Sequence, residues 1–331
     1  MKKTPDPFPA TPTLADPRAW QAETIDPPTA WRYELTSRCL SKLDQTLREL
    51  RKQPREITEL RVAETPLAES AVELRDVLHA LETGRGFAII EGLPGDVSRQ
   101  EFQAAYWLIG QLLGQPIVQN VEGTLLYDVR DTGQSVQYGS RFSVTNAESS
   151  FHTDNSFGDD VLDYVGLLCL QPAKSGGLSQ LISGFAAYRE LQSRDPQALE
   201  VLSQSFHVDR RGGVRPGELP TVQFPVLARQ DDELLLRYLR YWIEVGHEKA
   251  NQPLTPAQRA ALDTLDDVLR EPRLRVEFHL RPGDMFFINN RWLFHNRTAF
   301  DDDSDPDRKR HLVRLWLKRG RESFSCRTGL N

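Results

Sequence analysis

Apolar residues recur every three or four positions along several stretches of the chain, which is the spacing of an amphipathic helix. Three stretches in the first part of the chain show it, at residues 32–52, 68–83 and 98–114. The second and third end at or just before a glycine, a common helix stop. The same spacing predicts four more helices later in the chain, at residues 185–193, 195–204, 232–247 and 256–270.

Short apolar runs predict strands in the remaining parts of the chain. They lie at residues 87–90, 165–170, 178–182, 274–280, 285–288 and 311–318. Strands this widely separated, with helices inserted between them, favour an antiparallel sheet over a regular βαβ alternation. The expected fold class is therefore α+β, a sheet core with flanking helices and a helical insert.

The beginning of the chain differs from the rest. Residues 1–30 hold seven of the 21 prolines and follow neither a helical nor a strand period. We expect a Pro-rich N-terminal tail that lies extended on the surface or is partly disordered. Residues 31–331 are expected to form a single catalytic domain, with an insert at about 185–272 that contains a Gly/Pro-rich loop at 212–225.

Composition and charge narrow the classes of function. Of the 331 residues, 39% are hydrophobic and 27% are charged, which is typical of a globular chain. The formal net charge of −6 gives no electrostatic attraction for nucleic acid. No apolar run reaches the ~18 residues of a membrane span, and no targeting segment is recognisable. The three cysteines form no CxxC pair, which indicates reduced thiols in a cytoplasmic protein.

The most informative motif is Phe151-His152-Thr153-Asp154. On an extended segment, His152 and Asp154 point to the same side because the side-chain period is two. His295, which follows a Pro-Gly turn and an apolar strand, is the best candidate for a third ligand. Two histidines and one carboxylate form the facial triad of non-haem Fe(II) oxygenases. A second copy, His207-Val208-Asp209, precedes a flexible basic loop and is the weaker choice.

These motifs belong to an ordered set that spans residues 70–318. The chain resembles the Fe(II)/2-oxoglutarate-dependent dioxygenases, in the branch of the taurine and dichlorophenoxyacetate dioxygenases and clavaminate synthase. The matching segments, in family order, are GRGFAIIEGL at 84–93, FHTD at 151–154, GGLS at 176–179, PGDM at 282–285, HNRTAF at 295–300 and RHLVRLWL at 310–317.

The resemblance implies a double-stranded β-helix, or jelly roll, with Fe(II), 2-oxoglutarate and O2 as its cofactors and cosubstrates. His152, Asp154 and His295 would be the catalytic metal ligands. Among cofactor-binding residues, Arg310 would pair with the distal carboxylate of 2-oxoglutarate, with Arg314 as second contact.

Alternatives remain for the cofactor-binding residues. Arg308 is a third option for 2-oxoglutarate, and the acidic loop at residues 301–307 offers either Arg310 or Arg314 another partner. Ser179 matches the position whose hydroxyl binds the distal carboxylate, and the alternative is a strand-end hydroxyl near a Gly-rich turn.

The sequence indicates the substrate-binding residues less clearly than the residues for metal and 2-oxoglutarate. The expected partner is a small molecule that is anionic or amino-acid-like. We expect no binding to nucleic acid or to a membrane. Formation of a homo-oligomer is left open. The arginines of the insert either meet an anionic substrate or belong to a solvated loop. The candidate substrate-binding residues are Arg314, Asn146, Arg141, Tyr138, Arg237 and Tyr238.

Several functions fit the constellation. The first is an oxidoreductase, a hydroxylase acting on an unactivated C–H bond, and desaturation or cyclisation would use the same chemistry. The second is a metal-binding cupin isomerase or zinc hydrolase, which has no need of an arginine pair after the distal histidine. The third is a binding module that retains the fold without catalysis. A halogenase is disfavoured because Asp154 occupies the metal position that chloride requires.

Overall fold

The computed structural model describes most of the chain, namely residues 16–93, 97–134, 142–211, 214, 217–230 and 233–320. The described residues form seven α-helices: α1 Ser37–Lys52, α2 Arg75–Glu82, α3 Arg99–Leu113, α4 Gly184–Arg194, α5 Pro196–Leu202, α6 Arg240–Lys249 and α7 Pro256–Leu269. Side chains of Thr36, Ser98 and Thr255 cap the helices that follow them, which is why these helices start where they do. None of the helices within the described residues is long and apolar enough to cross a membrane.

The strands lie mostly in two sheets. Their bounds are β1 Arg32–Glu34, β2 Phe87–Glu91, β3 Gln115–Ile117, β4 Leu126–Val129, β5 Tyr164–Gln171, β6 Ser175–Gly176, β7 Ser179–Ser183, β8 Ser205–Asp209, β9 Thr221–Pro225, β10 Leu227–Gln230, β11 Glu233–Leu236, β12 Arg275–Phe278, β13 Met285–Asn289, β14 Leu293–Arg297, β15 Phe300–Asp301 and β16 His311–Lys318.

The larger sheet has the order β1-β2-β13-β5-β16-β3, with β4 also paired to β16. All its pairs are antiparallel except β1 with β2. The smaller sheet is β12-β7-β14, and β8-β9, β10-β11 and β15-β6 form separate antiparallel pairs. The mainly antiparallel arrangement and the mixture of helix and sheet confirm the expected α+β class.

Alternation along the larger sheet separates two cores. In β16, Val313, Leu315 and Leu317 pack with α3 in one hydrophobic cluster. Leu312 and Trp316 point the other way and join the cluster that also contains residues of the smaller sheet. Arg314 has the same parity as Leu312 and Trp316, so it lies on the face directed toward the smaller sheet.

The structure corrects several element boundaries. The stretch predicted as helix at 232–247 begins as strand β11, and only its second half is helical, in α6. The first residues of the 32–52 stretch form β1, and a 3-10 helix at Pro66–Leu74 precedes α2. The continuous apolar run of β11 is compatible with the period of a helix and with that of a strand. It forms a strand because it pairs with β10.

The predicted N-terminal tail is more ordered than expected over its described part. Trp20 is buried, and its indole N–H donates to the carbonyl of Arg85 (2.8 Å). The N–H of Ala22 donates to the carbonyl of Arg273 (2.9 Å). The buried indole and these two hydrogen bonds attach the described part of the tail to the core.

Candidate active site

A cavity of about 170 Å³ lies between the two sheets. Both sheets supply its walls, through β5, β13 and β16 on one side and β7 and β14 on the other. His152, Asp154, His295, Arg310, Arg314 and Ser179 all line this one cavity. The structure therefore brings together the six residues that the sequence predicts for metal and 2-oxoglutarate.

His152 and His295 face each other across a backbone bridge. The N–H of each donates to the carbonyl of the other, over 3.0 Å in both directions. This pair of bonds sets two residues that are 143 positions apart in direct register, with ring centroids 4.2 Å from one another. Asp154 Oδ1 lies 3.7 Å from Nε2 of His152 and 3.9 Å from Nε2 of His295.

These three donor atoms suit a single metal ion. Donors that each lie about 2 Å from one ion are at most about 4 Å apart, and Oδ1 of Asp154 lies within that distance of Nε2 in both histidines. Nδ1 of His152 donates to the carbonyl of Ser150 (2.7 Å), which leaves the Nε2 lone pair for a metal. Among the described residues, His152, Asp154 and His295 form the one group of histidine, cysteine or carboxylate side chains whose ligand atoms all lie within 4.8 Å of one another.

The protonation states also favour metal binding. Burial lowers the pKa of His152, and burial together with the neighbouring His152 lowers the pKa of His295 to about 3. Burial acts to raise the pKa of Asp154, but Arg314 and the two histidines outweigh it and hold this pKa at about 2. Neutral imidazoles beside an ionised carboxylate are the forms that ligate a metal.

Asp154 is fixed through its second oxygen. Oδ2 accepts hydrogen bonds from Nη1 of Arg314 and from the indole N–H of Trp316, both over 3.0 Å. Nε of Arg314 in turn donates to Oε1 of Gln119 (2.8 Å), and Gln119 is buried. The partners on Oδ2 orient the carboxylate so that Oδ1 faces the imidazoles. Sequence reasoning missed Gln119, since nothing adjacent to it marks the contact.

Asn290 holds the backbone of the same residue. Its amide oxygen accepts from the N–H of Asp154 (2.8 Å), and its amide nitrogen donates to the carbonyl of Asp154 (3.0 Å). In the sequence, Asn290 directly follows the apolar run of β13, and the pattern predicts only that the strand ends there. The structure shows that this breaker attaches the metal-binding segment to the turn that leads to His295.

Arg310 offers a site for an anion. It is buried, and its Nη1 has no hydrogen-bond partner among the residues that the structure describes. Burial lowers the pKa of Arg310 to about 10, and the nearby carboxylate of Asp302 offsets this effect only in part. Ser179 lines the same cavity, and beside it Gly176 (φ +69°) makes a turn so close to the carbonyl of Ala299 that a Cβ would lie 2.2 Å from that oxygen. The arrangement fits a carboxylate that accepts from Arg310.

The remaining candidate residues lie elsewhere. Asn146 is exposed and does not line the cavity, so its role as a substrate contact stays a prediction. Arg237 does not line the cavity either, and its guanidinium donates to the carbonyl of Gly158 (2.5 Å) and stacks on Phe224, so its role as a substrate contact also stays a prediction. Tyr238 is buried and its hydroxyl donates to Asp266 (2.5 Å). Tyr138 and Arg141 lie outside the described residues.

The second His-x-Asp copy is separate from the cavity. His207 lies on β8, where its Nε2 contacts the side chains of Gln223 and Gln252. Asp209 accepts from Nζ of Lys249 (2.8 Å). Arg308 is exposed and pairs with Asp303 (3.4 Å), so it does not reach the cavity.

Comparison with known proteins agrees with this geometry. The family model described as taurine catabolism dioxygenase TauD, TfdA family matches residues 53–316. The chain belongs to this family. As a TauD/TfdA member, it is a non-haem Fe(II) dioxygenase that uses 2-oxoglutarate and O2. The match confirms the family that the six sequence motifs indicate.

Relatives and solved structures extend the comparison. The chain is 27% identical over 304 residues to FR-33289 synthase of Streptomyces rubellomurinus, covering 90% of this chain and 88% of that one. It is 30% identical to a uridine-5'-phosphate dioxygenase of Streptomyces sp., covering 72% and 87%.

Two solved structures share the fold. Asparagine oxygenase with Fe(II), 2S,3S-3-hydroxyasparagine and succinate has a TM-score of 0.65 at 20% identity, covering 87% and 93%. The non-heme iron oxygenase OrfP with Fe and alpha-ketoglutaric acid has a TM-score of 0.64 at 19% identity, covering 90% and 97%.

Proposed function

We propose that this dioxygenase hydroxylates an unactivated C–H bond of a small molecule, while 2-oxoglutarate is converted to succinate and CO2. We further propose that the two facing sheets form the double-stranded β-helix of a jelly roll. The observation that carries the proposal is the convergence of His152 Nε2, His295 Nε2 and Asp154 Oδ1 in the cavity between the two sheets. Three protein ligands on one face leave further metal positions for cosubstrate and O2.

His152, Asp154 and His295 hold Fe(II) in this proposal. Their imidazoles are neutral and their carboxylate is ionised, so binding requires no proton release at neutral pH. Arg314 and Trp316 hold the carboxylate in one orientation, and Asn290 holds the peptide groups on both sides of Asp154. Several independent hydrogen bonds therefore set the ligand geometry before the metal enters.

Arg310 holds the distal carboxylate of 2-oxoglutarate. Its buried Nη1 gains a charged acceptor, and this hydrogen bond offsets the free-energy cost of burying the guanidinium. Ser179 supplies a hydroxyl donor from the facing strand β7. Arg314 is committed to Asp154 and Gln119 by two hydrogen bonds, so we assign the cosubstrate to Arg310 and a positioning role to Arg314.

Bound Fe(II) would supply the oxygen chemistry, with O2 as the oxidant and with 2-oxoglutarate as the source of two of the electrons that reduce it. The chain's own contribution is a fixed geometry and a partly dry cavity. Val165 and Phe286 from the larger sheet and Leu181 from β7 form apolar wall between the two histidines and the sheet core. Excluding water there protects a reactive centre from side reactions.

A small-molecule substrate is supported by the size of the cavity and by the fold neighbours. A volume of about 170 Å³ admits a molecule of amino-acid size and excludes a folded macromolecule. The structural neighbours named above contain 3-hydroxyasparagine or alpha-ketoglutaric acid. These neighbours support the substrate class, since they share the fold.

A substrate screen under isotopic O2 tests the proposal. Small acids and amino acids are incubated with the Fe(II)-loaded protein, 2-oxoglutarate and 18O2, and succinate release identifies a hit. Hydroxylation adds one labelled oxygen to the hit, which mass spectrometry detects as a gain of mass. A product that has lost two hydrogens and gained no oxygen would contradict hydroxylation and establish desaturation or cyclisation.

A further inference from the structure

The metal-binding segment, which carries His152 and Asp154, is bonded to two neighbours. The paired backbone bonds with His295 join it to β14. The second neighbour is a strap of the insert, residues 236–242, which runs from the end of β11 into the first turn of α6. Thr153 makes the contacts to this strap. It stands between two metal ligands, and the proposed chemistry gives it no task.

Thr153 is bonded to the strap through both its backbone and its side chain. Its N–H donates to the carbonyl of Tyr238 (2.8 Å), and its hydroxyl oxygen accepts from the N–H of Tyr238 (3.0 Å). The same hydroxyl is directed at the carbonyl oxygen of Leu236, 3.5 Å away. Thr153 is only 1% exposed, so water cannot replace these partners. The hydroxyl therefore serves a main-chain donor and a main-chain acceptor of the strap.

Tyr238 fixes the strap to the rest of the protein. Its side chain is buried, and its ring packs edge to face with Phe294, the residue before His295, with the centroids 6.0 Å apart. Its hydroxyl donates to Oδ1 of Asp266 on α7 (2.5 Å), and Oδ2 of Asp266 accepts from Arg240 of α6 (3.0 Å). These contacts give the peptide group of Tyr238 a defined position to which Thr153 can bond.

The strap has a second attachment close to the metal-binding segment. The N–H of Leu236 donates to the carbonyl of Arg291 (2.7 Å). Arg291 follows Asn290, whose side chain bonds to the N–H and to the carbonyl of Asp154. The strap is thus joined to the metal-binding segment directly at Thr153 and also through the turn between β13 and β14.

The strap also forms part of the cavity wall. Leu239 and Trp242 line the cavity together with the three metal ligands. Both side chains are largely buried. One short segment of the insert therefore bounds the cavity and at the same time carries the peptide group that bonds to Thr153.

The hydroxyl of Thr153 is placed to control the direction of the ligands. In an extended segment the middle side chain points away from the side chains before and after it. Bonds at Thr153 therefore hold the segment from the side opposite to His152 and Asp154, and they limit its rotation about its own axis. Such a rotation would move both ligand atoms away from His295.

From these observations we infer that Thr153 is a positioning residue, whose hydroxyl uses the strap to set the directions of His152 and Asp154. The insert then completes the metal site in addition to bounding the cavity. The inference rests on the proposed function, since it concerns the same three ligands of Fe(II).

Titration with Co(II) tests the inference, because Co(II) accepts the same ligand types as Fe(II) and its visible absorption reports ligand geometry. Thr153→Val keeps the shape of the side chain without the hydroxyl, so Co(II) affinity should fall at least about tenfold and the absorption bands should change. Thr153→Ser keeps the hydroxyl and should retain most of the wild-type affinity. Thr153→Ala removes the hydroxyl without a new methyl group and should repeat the loss seen with valine.

Thr46→Val is the matched control. Thr46 lies on α1, is 3% exposed and does not line the cavity, and its hydroxyl donates to the carbonyl of Lys42 (2.8 Å). This variant also removes a buried hydroxyl that is bonded to the main chain. It should leave Co(II) affinity and absorption unchanged, even if urea unfolding of the metal-free protein shows a loss of stability.

Hydrogen exchange gives a second readout. Coupling between two sites is reciprocal, so a strap that holds the metal ligands must itself be held more firmly when a metal is bound. Co(II) should therefore slow amide exchange in peptides that cover the strap, in the wild type and in Thr153→Ser. The effect should be much smaller in Thr153→Val.

The outcomes separate the inference from the proposed function. Wild-type Co(II) affinity in Thr153→Val, an equal loss in Thr153→Ser or Thr46→Val, or exchange in the wild-type strap that does not respond to Co(II) would each overturn the inference alone. A wild type that binds no Co(II) would instead contradict the metal site, and the proposed function would fall together with the inference.

Discussion

Arg314 donates to Asp154 Oδ2 over 3.0 Å, and this contact leaves Oδ1 of the carboxylate to face His152 and His295. A residue of β16 thereby controls how a metal ligand on a distant segment is presented. The contact also holds the pKa of Asp154 at about 2 against the effect of burial. Sequence analysis assigns this arginine to cosubstrate or substrate, whereas the structure shows it engaged with the carboxylate.

Removal of that contact should weaken metal binding. In Arg314→Leu, the carboxylate loses a charged donor on Oδ2 and can rotate, so we expect Fe(II) affinity to fall about 10- to 100-fold. Gln119→Leu frees only the far side of Arg314 and should give a smaller loss in the same direction. Anaerobic Fe(II) titration of both variants checks this. Wild-type affinity in Arg314→Leu would show that the indole N–H of Trp316 alone orients Asp154.

Substitution of Arg310 should act on the cosubstrate. Arg310→Gln removes the positive partner of the distal carboxylate, so the KM for 2-oxoglutarate should rise at least about tenfold. Arg308→Gln is the control, because Arg308 is exposed and two positions away. Steady-state succinate release at varied 2-oxoglutarate gives both values. A raised KM in Arg308→Gln with an unchanged KM in Arg310→Gln would reassign the site.

A buried ionic network should matter for stability. Glu233 on β11 accepts from both Arg291 (3.0 Å) and Arg319 (2.9 Å), and all three side chains are largely shielded from solvent. Glu233→Ala removes one of two carboxylate partners from each guanidinium, since Arg291 keeps Asp163 and Arg319 keeps Glu82, so the free energy of unfolding should fall by about 1–3 kcal/mol. Asp44→Ala breaks an exposed pair with Arg48 and should change it by less than about 1 kcal/mol. Urea unfolding compares them, and equal losses would contradict the role of the network.

His247 should make the stability of the insert depend on pH. Its Nε2 accepts from the N–H of His207, while its Nδ1 donates to the carbonyl of Gln252 (2.7 Å), so the folded chain needs the neutral ring. Burial lowers the pKa of His247 in the folded state. The unfolded chain therefore binds more protons than the folded chain. The contribution of His247 to stability is full above pH ~6.5 and declines as the pH falls below that value.

The test for His247 compares how much the free energy of unfolding changes with pH in the wild type and in a variant. Unfolding free energies of wild type and His247→Gln are compared at pH 7.5 and 5.5, both without added metal, so that the contributions of His152 and His295 cancel. The wild type should lose more stability than the variant between the two pH values. Parallel losses would mean that His247 does not titrate between the two states.

The fold and the metal triad were accessible from the sequence for a physical reason. The period-two alternation of β16 and the apolar run of β13 mark buried strands, and His-x-Asp places two ligands on one side of an extended segment. The choice of His152 over His207 depended on the order of neighbouring motifs. The structure brings His152 together with His295 and leaves His207 outside the cavity.

The supporting residues could not be read from the sequence. Gln119, Asn290 and Trp316 act through single hydrogen bonds that exist only once distant strands have paired. The same holds for Thr153, whose hydroxyl reaches the N–H of Tyr238 only once the insert has packed against the metal-binding segment. The predicted helix at 232–247 failed for a related reason, because pairing with β10 overrides the local pattern of the leucines in β11.

The most direct test of the account is Fe(II)-dependent conversion of 2-oxoglutarate to succinate, measured in the wild type, His152→Ala and His207→Ala. The two variants remove the histidine from each copy of the same motif, so a general effect of losing a histidine would appear in both. We expect the wild type and His207→Ala to release succinate at similar rates and His152→Ala to release almost none. Undiminished succinate release by His152→Ala would contradict the metal site on which the account rests.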